Sequence, residues 1–494
     1  MTALAQIKLK CGSVVATFGV AVAHAPSVQD LANTFNSSAS AEIASAIELH
    51  AAFIRYCVDC GSSEDALAVF DAFCTAYDTA TCDIHVVVQA QDLDEAAARR
   101  VLRGYFSAWP LVNTSSVWPT VPAPALFAAA KSTGLMALFG GQRGTSDYLD
   151  EAAWLLNVYY PLLLDFMSYM SEFLHRESQD TRVSSVYDKG LDVLRWLTTP
   201  GTMPDEQYLL TIPVCQPLVA LIQLMHVMVL YKTLGISPED LTKRFKVAVG
   251  HSQGIGIAAA FSTLTDEQSF YNISERILGI HLVAGAFPQL RYPCYKTPTD
   301  SSSGAEVRPM VSVQGVTKPA LEQFIAKFNR RQPSPAKHAF LAVVNTVDQF
   351  IVASEATSAA KFVEFLRSES ADPDKDQSRI PFAQRKPVIA VQYTTITAPY
   401  HCLLLESATD EAHDIAVEKE WILHSSDMQI AVRASDDGHD IRSEPDLTRY
   451  LFGAICVLPV DWLQATQCPS ITHIVDFGPG GLSGFGVLAY KNVE

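Results

Sequence analysis

A serine between glycines, Gly250-His-Ser-Gln-Gly254, is the part of this 494-residue chain best suited to covalent chemistry. It follows a short apolar stretch, Lys246-Val-Ala-Val249, and precedes an Ala-rich one, Ile255 to Phe261. A strand-to-helix turn this sharp strains the backbone at the serine, and the flanking glycines remove side chains that would clash. The Ser252 hydroxyl then stands at a helix N-terminus, where the dipole and unpaired N–H groups favour developing negative charge. The Gln253 N–H is a natural donor to an oxyanion formed there. The chemistry this permits is nucleophilic attack on an acyl carbon.

Such a serine needs a base, and the chain has 13 histidines. His251 is adjacent, but its side chain leaves the turn in another direction. His401, in Ala398-Pro-Tyr-His401, ends a β-rich run (Val388 to Thr397) and begins a helix, a rigid place to present a side chain. A third element is Phe139-Gly-Gly-Gln142, where two glycines after a buried strand allow backbone to approach a ligand. Gln142 there is able to give an oxyanion its second hydrogen bond. Taken singly, a histidine at a strand end and a glycine turn are more often structural. Gly254-Ile-Gly256 with Ala259 nearly fits a dinucleotide fingerprint, but its first glycine already ends the serine turn and no acidic strand end follows. Cys57-Val-Asp-Cys60 has no second metal-ligand pair, so it reads as two helical cysteines facing a core, and no metal is expected.

The elements that must hold these residues read as follows. Residues 1–110 form a small α/β unit: a strand near 13–22, helices at 28–55 and 63–78, a second strand Asp83–Gln89 and a helix from about 92 to 106. Lys8 and Lys10 before the apolar run Val14 to Ala23 resemble a secretory signal, but β-branched residues make it a buried strand. Residues 111–130 are a Pro-, Ser- and Thr-rich linker. From 131 to 494 the pattern is a strand at Gly134–Phe139, helices at 148–175 and 180–197, and a buried apolar helix at Pro213–Leu234. After the serine turn, residues 286–390 carry a β-α-β pattern: Met310–Gly315, a helix near 318–330, then a strand pair at Ala339–Ala353. Helices near 402–418 and 444–455 precede a last strand, His473–Phe477, and the loop Gly478-Pro-Gly-Gly481.

The chain is 49% hydrophobic and 18% charged, the profile of a core-forming protein. A formal net charge of −17 argues against nucleic acid and anionic membrane as partners. No stretch reaches about 18 consecutive apolar residues, so no membrane-spanning segment is expected. Ten scattered cysteines suit a reducing cytoplasm.

Together, Ala137-Leu-Phe-Gly-Gly-Gln142, Gly250-His-Ser-Gln-Gly254, Asp376-Gln-Ser-Arg-Ile-Pro-Phe382, Ala398-Pro-Tyr-His401 and Thr472-His-Ile-Val-Asp-Phe-Gly-Pro-Gly-Gly481 resemble, in order and spacing, the acyltransferase domain of the fungal-type fatty acid synthase β subunit. The closely related starter-unit acyl-carrier-protein transacylases of fungal polyketide synthases more often place Cys in the turn. Residues 1–110 resemble the segment preceding that domain. The resemblance implies an α/β-hydrolase-like large subdomain with an inserted ferredoxin-like small subdomain. It implies Ser252 as nucleophile and His401 as base, with His401 oriented by a backbone carbonyl near the 476–480 loop. It also implies an oxyanion hole from Gln142 and Gln253, and substrate contacts from Gly141, Arg143, His251, Ile277 and Asn345. The substrates would be a coenzyme A thioester and the phosphopantetheine thiol of an acyl carrier protein, with no bound cofactor, inside a larger fatty acid or polyketide synthase assembly. Malonyl-transferring relatives carry an Arg about 25 residues after the serine to pair with the free carboxylate. Here that position is Ile277, with Arg276 one residue earlier, which favours an acetyl or other neutral starter group. Arg143 departs from the family's usual Gly. The end at Glu494 falls where the β subunit would continue, as expected of a fragment or a stand-alone loading protein. Two alternatives remain, a serine hydrolase using the same turn and a malonyl-type transferase. Asp410 and Asp414 follow His401, out of the usual hydrolase order.

Overall fold

The computed structural model describes residues 3–39, 42–79, 82–113, 125–128, 134–142, 144–293, 299, 304, 306–372, 377–378, 380–381, 384–480 and 484–492. Arg143, most of the 111–130 linker and part of the 376–382 motif lie outside them. Contacts divide the chain into two units: Met1–Lys131 with Ala152–Met167 and Met228–Ile236, and the remainder.

The first unit is built on a hairpin of β1 (Leu4–Cys11) and β2 (Val14–Ala21), paired antiparallel with Cys11 opposite Val14. Gly12, at φ 57°, makes the two-residue turn. The run read as a strand rather than a leader is therefore paired and half-buried, and β1 before it was missed. Helices Ala25–Ser38, Ala46–Cys60, Ser63–Ala76 and Glu95–Ser107 bury Phe35, Phe53, Phe70, Phe73 and Phe106. The expected strand Asp83–Gln89 is a helix, Ile84–Gln89. The Asp83 side chain accepts from the His85 N–H, a local cap that outweighs the β preference of three consecutive valines. Cys57 is buried, its thiol pushed up to about 12 by desolvation, whereas Cys60 is exposed, so only one faces the core.

The second unit contains two sheets. Strands β3 (Leu135–Phe139), β4 (Val247–Gly250), β9 (Ala431–Arg433) and β11 (His473–Asp476) form a wholly parallel sheet in the order β11-β3-β4-β9. β3 and β4 are buried at every position, as parallel strands covered on both faces must be. Strands β5 (Met310–Gln314), β6 (Phe340–Val344), β7 (Gln349–Ala353) and β8 (Ala390–Tyr393) alternate with helices Lys318–Asn329 and Ala356–Glu369. Their order, β6-β7-β5-β8, is that of a ferredoxin-like βαββαβ unit. β10 (Val460–Asp461), from far along the chain, adds parallel to β6. Val313, Leu321, Phe328, Phe350 and Phe362 pack between this sheet and its helices. The α/β class and the inserted small subdomain thus hold. The insertion begins later than residue 286, because helix Glu267–Arg291 runs through that point.

Helix Ile212–Thr233 is, among the described residues, the one long and apolar enough to cross a membrane. Its most apolar stretch is 94% buried inside the protein, so it serves as a core helix.

Candidate active site

Ser252 sits between β4 and helix Gly254–Ser262 with φ 53°, the left-handed strain a nucleophile turn imposes. The glycines are required by space. A Cβ on Gly250 would lie 2.0 Å from the Gly254 carbonyl carbon, and one on Gly254 would lie 2.2 Å from the Phe139 carbonyl oxygen. The N–H groups of Gly254, Ile255 and Gly256 bond back to the His251, Ser252 and Gln253 carbonyls.

His401, also strained at φ 61°, is held by its own N–H to the Cys456 carbonyl at 2.7 Å. Its Nδ1 is 2.8 Å from the Leu458 carbonyl and its Nε2 is 2.7 Å from Ser252 Oγ. A carbonyl only accepts, so Nδ1 carries the proton and Nε2 presents its lone pair to the hydroxyl. The orienting carbonyl is Leu458, beside β10, and not one of the 476–480 loop. Burial lowers His401 to about 4, against a smaller upward effect of the Leu458 carbonyl, so the ring is neutral near pH 7.

The pair opens on a cavity of about 410 Å³ between the parallel sheet and the small subdomain. Met310, Ser312, Val343, Asn345 and Ile351 line it while Val311, Val313, Val344, Phe350 and Val352 face the other way, the period-2 alternation of strands. Gln142, His251, Gln253 and Asn345 are all at this cavity. The Nε2 groups of Gln142 and Gln253 are buried with no partner among the described residues. His251 donates from Nε2 to Asn345 Oδ1 at 2.9 Å and packs on Phe485 (4.1 Å between centroids) and Trp462. Desolvation lowers it to about 3, so it too is neutral. Gly141 sits against it: a Cβ there would be 2.9 Å from His251 Nδ1.

Ile277 is not brought to the cavity. It is fully buried on helix Glu267–Arg291 and is not a lining residue. Arg276 directs its guanidinium to the Ile422 carbonyl at 3.2 Å. Gln216, Gln392, Tyr400 and Phe485 also line the cavity and were not among the expected site residues; Tyr400 was quoted only as part of the His401 motif, and Gln216 stood out only as a polar residue in an apolar helix.

A serine–histidine pair on a parallel sheet, faced by an inserted βαββαβ subdomain, defines the α/β acyltransferase class. The sequence profile of the family described as "Starter unit:ACP transacylase in aflatoxin biosynthesis" matches residues 137–387, and the chain belongs to that family. Among curated relatives, the fatty acid synthase subunit beta of Schizosaccharomyces pombe is 34% identical over 421 residues, covering 83% of this chain and 20% of that protein. The fatty acid synthase beta subunit aflB of Emericella nidulans is 31% identical over 409 residues, covering 82% and 19%. The chain thus spans about a fifth of the length of these relatives. Among solved structures, the malonyl CoA-acyl carrier protein transacylase of Coxiella burnetii is 17% identical with a TM-score of 0.49, covering 73% of this chain and 91% of that one. The resemblance read from the motifs is borne out.

Proposed function

We propose that residues 131–494 transfer an acetyl or other neutral starter acyl group from a coenzyme A thioester, through an ester on Ser252, to the phosphopantetheine thiol of an acyl carrier protein. In this reading His401 Nε2 takes the Oγ proton as Oγ attacks the thioester carbonyl. Charge develops on the carbonyl oxygen, where the Gln253 N–H and Gln142 are the donors. Collapse expels the coenzyme A sulfur, which receives the proton from His401. The carrier thiol then gives its proton to His401, its sulfur attacks the ester, and Ser252 is regenerated with that proton. His401 is thus base and acid in alternate half-reactions, as a neutral ring with a fixed tautomer can be.

The observation that carries the reading is the pair of hydrogen bonds on His401, 2.7 Å to Ser252 and 2.8 Å to the Leu458 carbonyl. A base oriented by a carbonyl rather than a carboxylate departs from the hydrolase triad. The neutral acyl group is supported by the described cavity lining, which includes no Lys or Arg, and by Arg276, whose guanidinium is engaged with the Ile422 carbonyl. A chain of this kind would work in the cytoplasm within a larger synthase assembly, with residues 1–110 as a preceding unit.

The test is intact mass after brief incubation with acetyl-, hexanoyl- and malonyl-coenzyme A, with Ser252→Ala as control. Adducts from the neutral thioesters, absent in S252A, are expected. An adduct from malonyl-coenzyme A alone would reverse the substrate reading. Steady release of coenzyme A without an adduct would favour the hydrolase.

A further inference from the structure

Helix Ile212–Thr233 is apolar along nearly its whole length, yet Gln223 within it is completely buried. Its Nε2 donates to two carbonyls at once, Gly140 O and Gly478 O, each at 2.8 Å. The Gly140 N–H reaches the same Gly478 carbonyl at 3.4 Å. A carboxamide amino group has two hydrogens and both are used. The opposite orientation would press the amide oxygen against two carbonyl oxygens, so the assignment is fixed by chemistry. Oε1 is buried without a partner, a cost that an apolar side chain at this position would avoid. The two donors are what the position retains in exchange.

The carbonyls joined this way belong to two functional loops. Gly140 opens Gly140-Gly141-Gln142 after β3, and Gly478 opens the glycine loop after β11. The second loop is fixed from its other side by Asp476, which accepts from the Gly478 N–H, and by Glu151, which accepts from the Gly480 N–H. The first loop continues to Gln142, a residue that lines the cavity and whose Nε2 is buried without a partner among the described residues.

We infer that Gln223 is a positioning residue for the oxyanion loop: it ties Gly140 to the anchored Gly478 and so sets where Gln142 stands relative to Ser252. It touches no substrate. The inference rests on the acyl-serine reading above, and concerns how that site is held.

The experiment uses Gln223→Met, which keeps the length of the side chain and removes both donors, with Leu221→Met as a control at another buried position of the same helix. Single-turnover acylation by acetyl-coenzyme A gives kcat and KM. Infrared spectra of the acyl-enzyme made with 1-¹³C-acetyl report how strongly the ester carbonyl is polarised. In Q223M the acylation kcat falls on the order of 100-fold with KM within about twofold, the effect of misplacing a transition-state donor. The ester band moves to higher wavenumber, and L221M changes neither. Full kcat with an unchanged band in Q223M overturns the inference, as does a lowered melting temperature with the band in place. Gln223→Asn serves if Q223M does not fold; if neither folds, Gln223 is a folding element and the inference fails. If wild type itself gives no acyl adduct, it is the acyl-serine reading that has failed.

Discussion

Protonation of His401 gives the sharpest test of the dyad. The ring is buried and its pKa lies near 4 rather than 6.5, so the fold disfavours the imidazolium by about 3 kcal/mol. The base form therefore persists well into acid. At pH 5.5 an ordinary histidine would be about 10% neutral, whereas His401 would be more than about 90% neutral. The initial rate of acyl-Ser252 formation at subsaturating acetyl-coenzyme A, measured by rapid quench and intact mass, should be level from about pH 8 to 5.5 and fall only on approaching pH 4. Stability moves in the same direction and must be controlled. The folded pKa of His401 is depressed, as are those of His251 and His281, each to about 3. Such groups stay neutral in the fold but take a proton in the unfolded chain below about pH 6.5. Their contribution is complete above 6.5 and is lost as pH falls toward the folded values, about 2 kcal/mol each by pH 5. Short reaction times on protein held at neutral pH separate the two effects. An inflection near pH 6.5 with the fold intact would refute the assignment of a buried, carbonyl-held base.

Replacing His401 by Ala should slow acylation by roughly 10² to 10⁴ while leaving a slow Ser252-dependent adduct, since general base catalysis is lost but the nucleophile stays. Gln142→Ala should cost on the order of 100-fold in acylation kcat with little change in KM, and an equal loss of affinity would point instead to a ground-state contact. Gly254→Ala should abolish folding or sharply lower the melting temperature, because its Cβ would fall 2.2 Å from a backbone oxygen; near-normal melting would show that the turn relaxes. Ile277→Arg should destabilise the protein by burying an unpaired charge and should not confer malonyl transfer. A folded I277R that takes malonyl-coenzyme A would place that side chain in the cavity after all.

The serine turn was legible because its glycines are forced by space, and β3 and β4 because parallel strands buried on both faces read as apolar runs. The dyad was legible only through several motifs together, since nothing local to His401 distinguishes it. Its orienting carbonyl was misplaced because Leu458 approaches through β10, a two-residue strand with no periodicity to read. Ile84–Gln89 was misread because β-branched residues outweighed the Asp83 cap. Helix Glu267–Arg291 went unnoticed because it is buried on many sides and carries little amphipathic pattern, and that led Ile277 to be placed by counting rather than by face. Gln223, like Gln216, stands out only as a polar residue in an apolar helix, and its role shows only once its two carbonyl partners, 83 and 255 residues away, are brought to it.

The central claim is that an acyl group rests on Ser252 and leaves to a thiol. The most direct measurement isolates acetyl-enzyme after desalting and follows its mass in buffer alone and with a phosphopantetheine-bearing carrier protein. An adduct mapped to Ser252 that persists in buffer and is discharged rapidly onto the carrier thiol is expected. Loss at the same rate in both would make water the acceptor, and an adduct on any residue other than Ser252 would contradict the account outright.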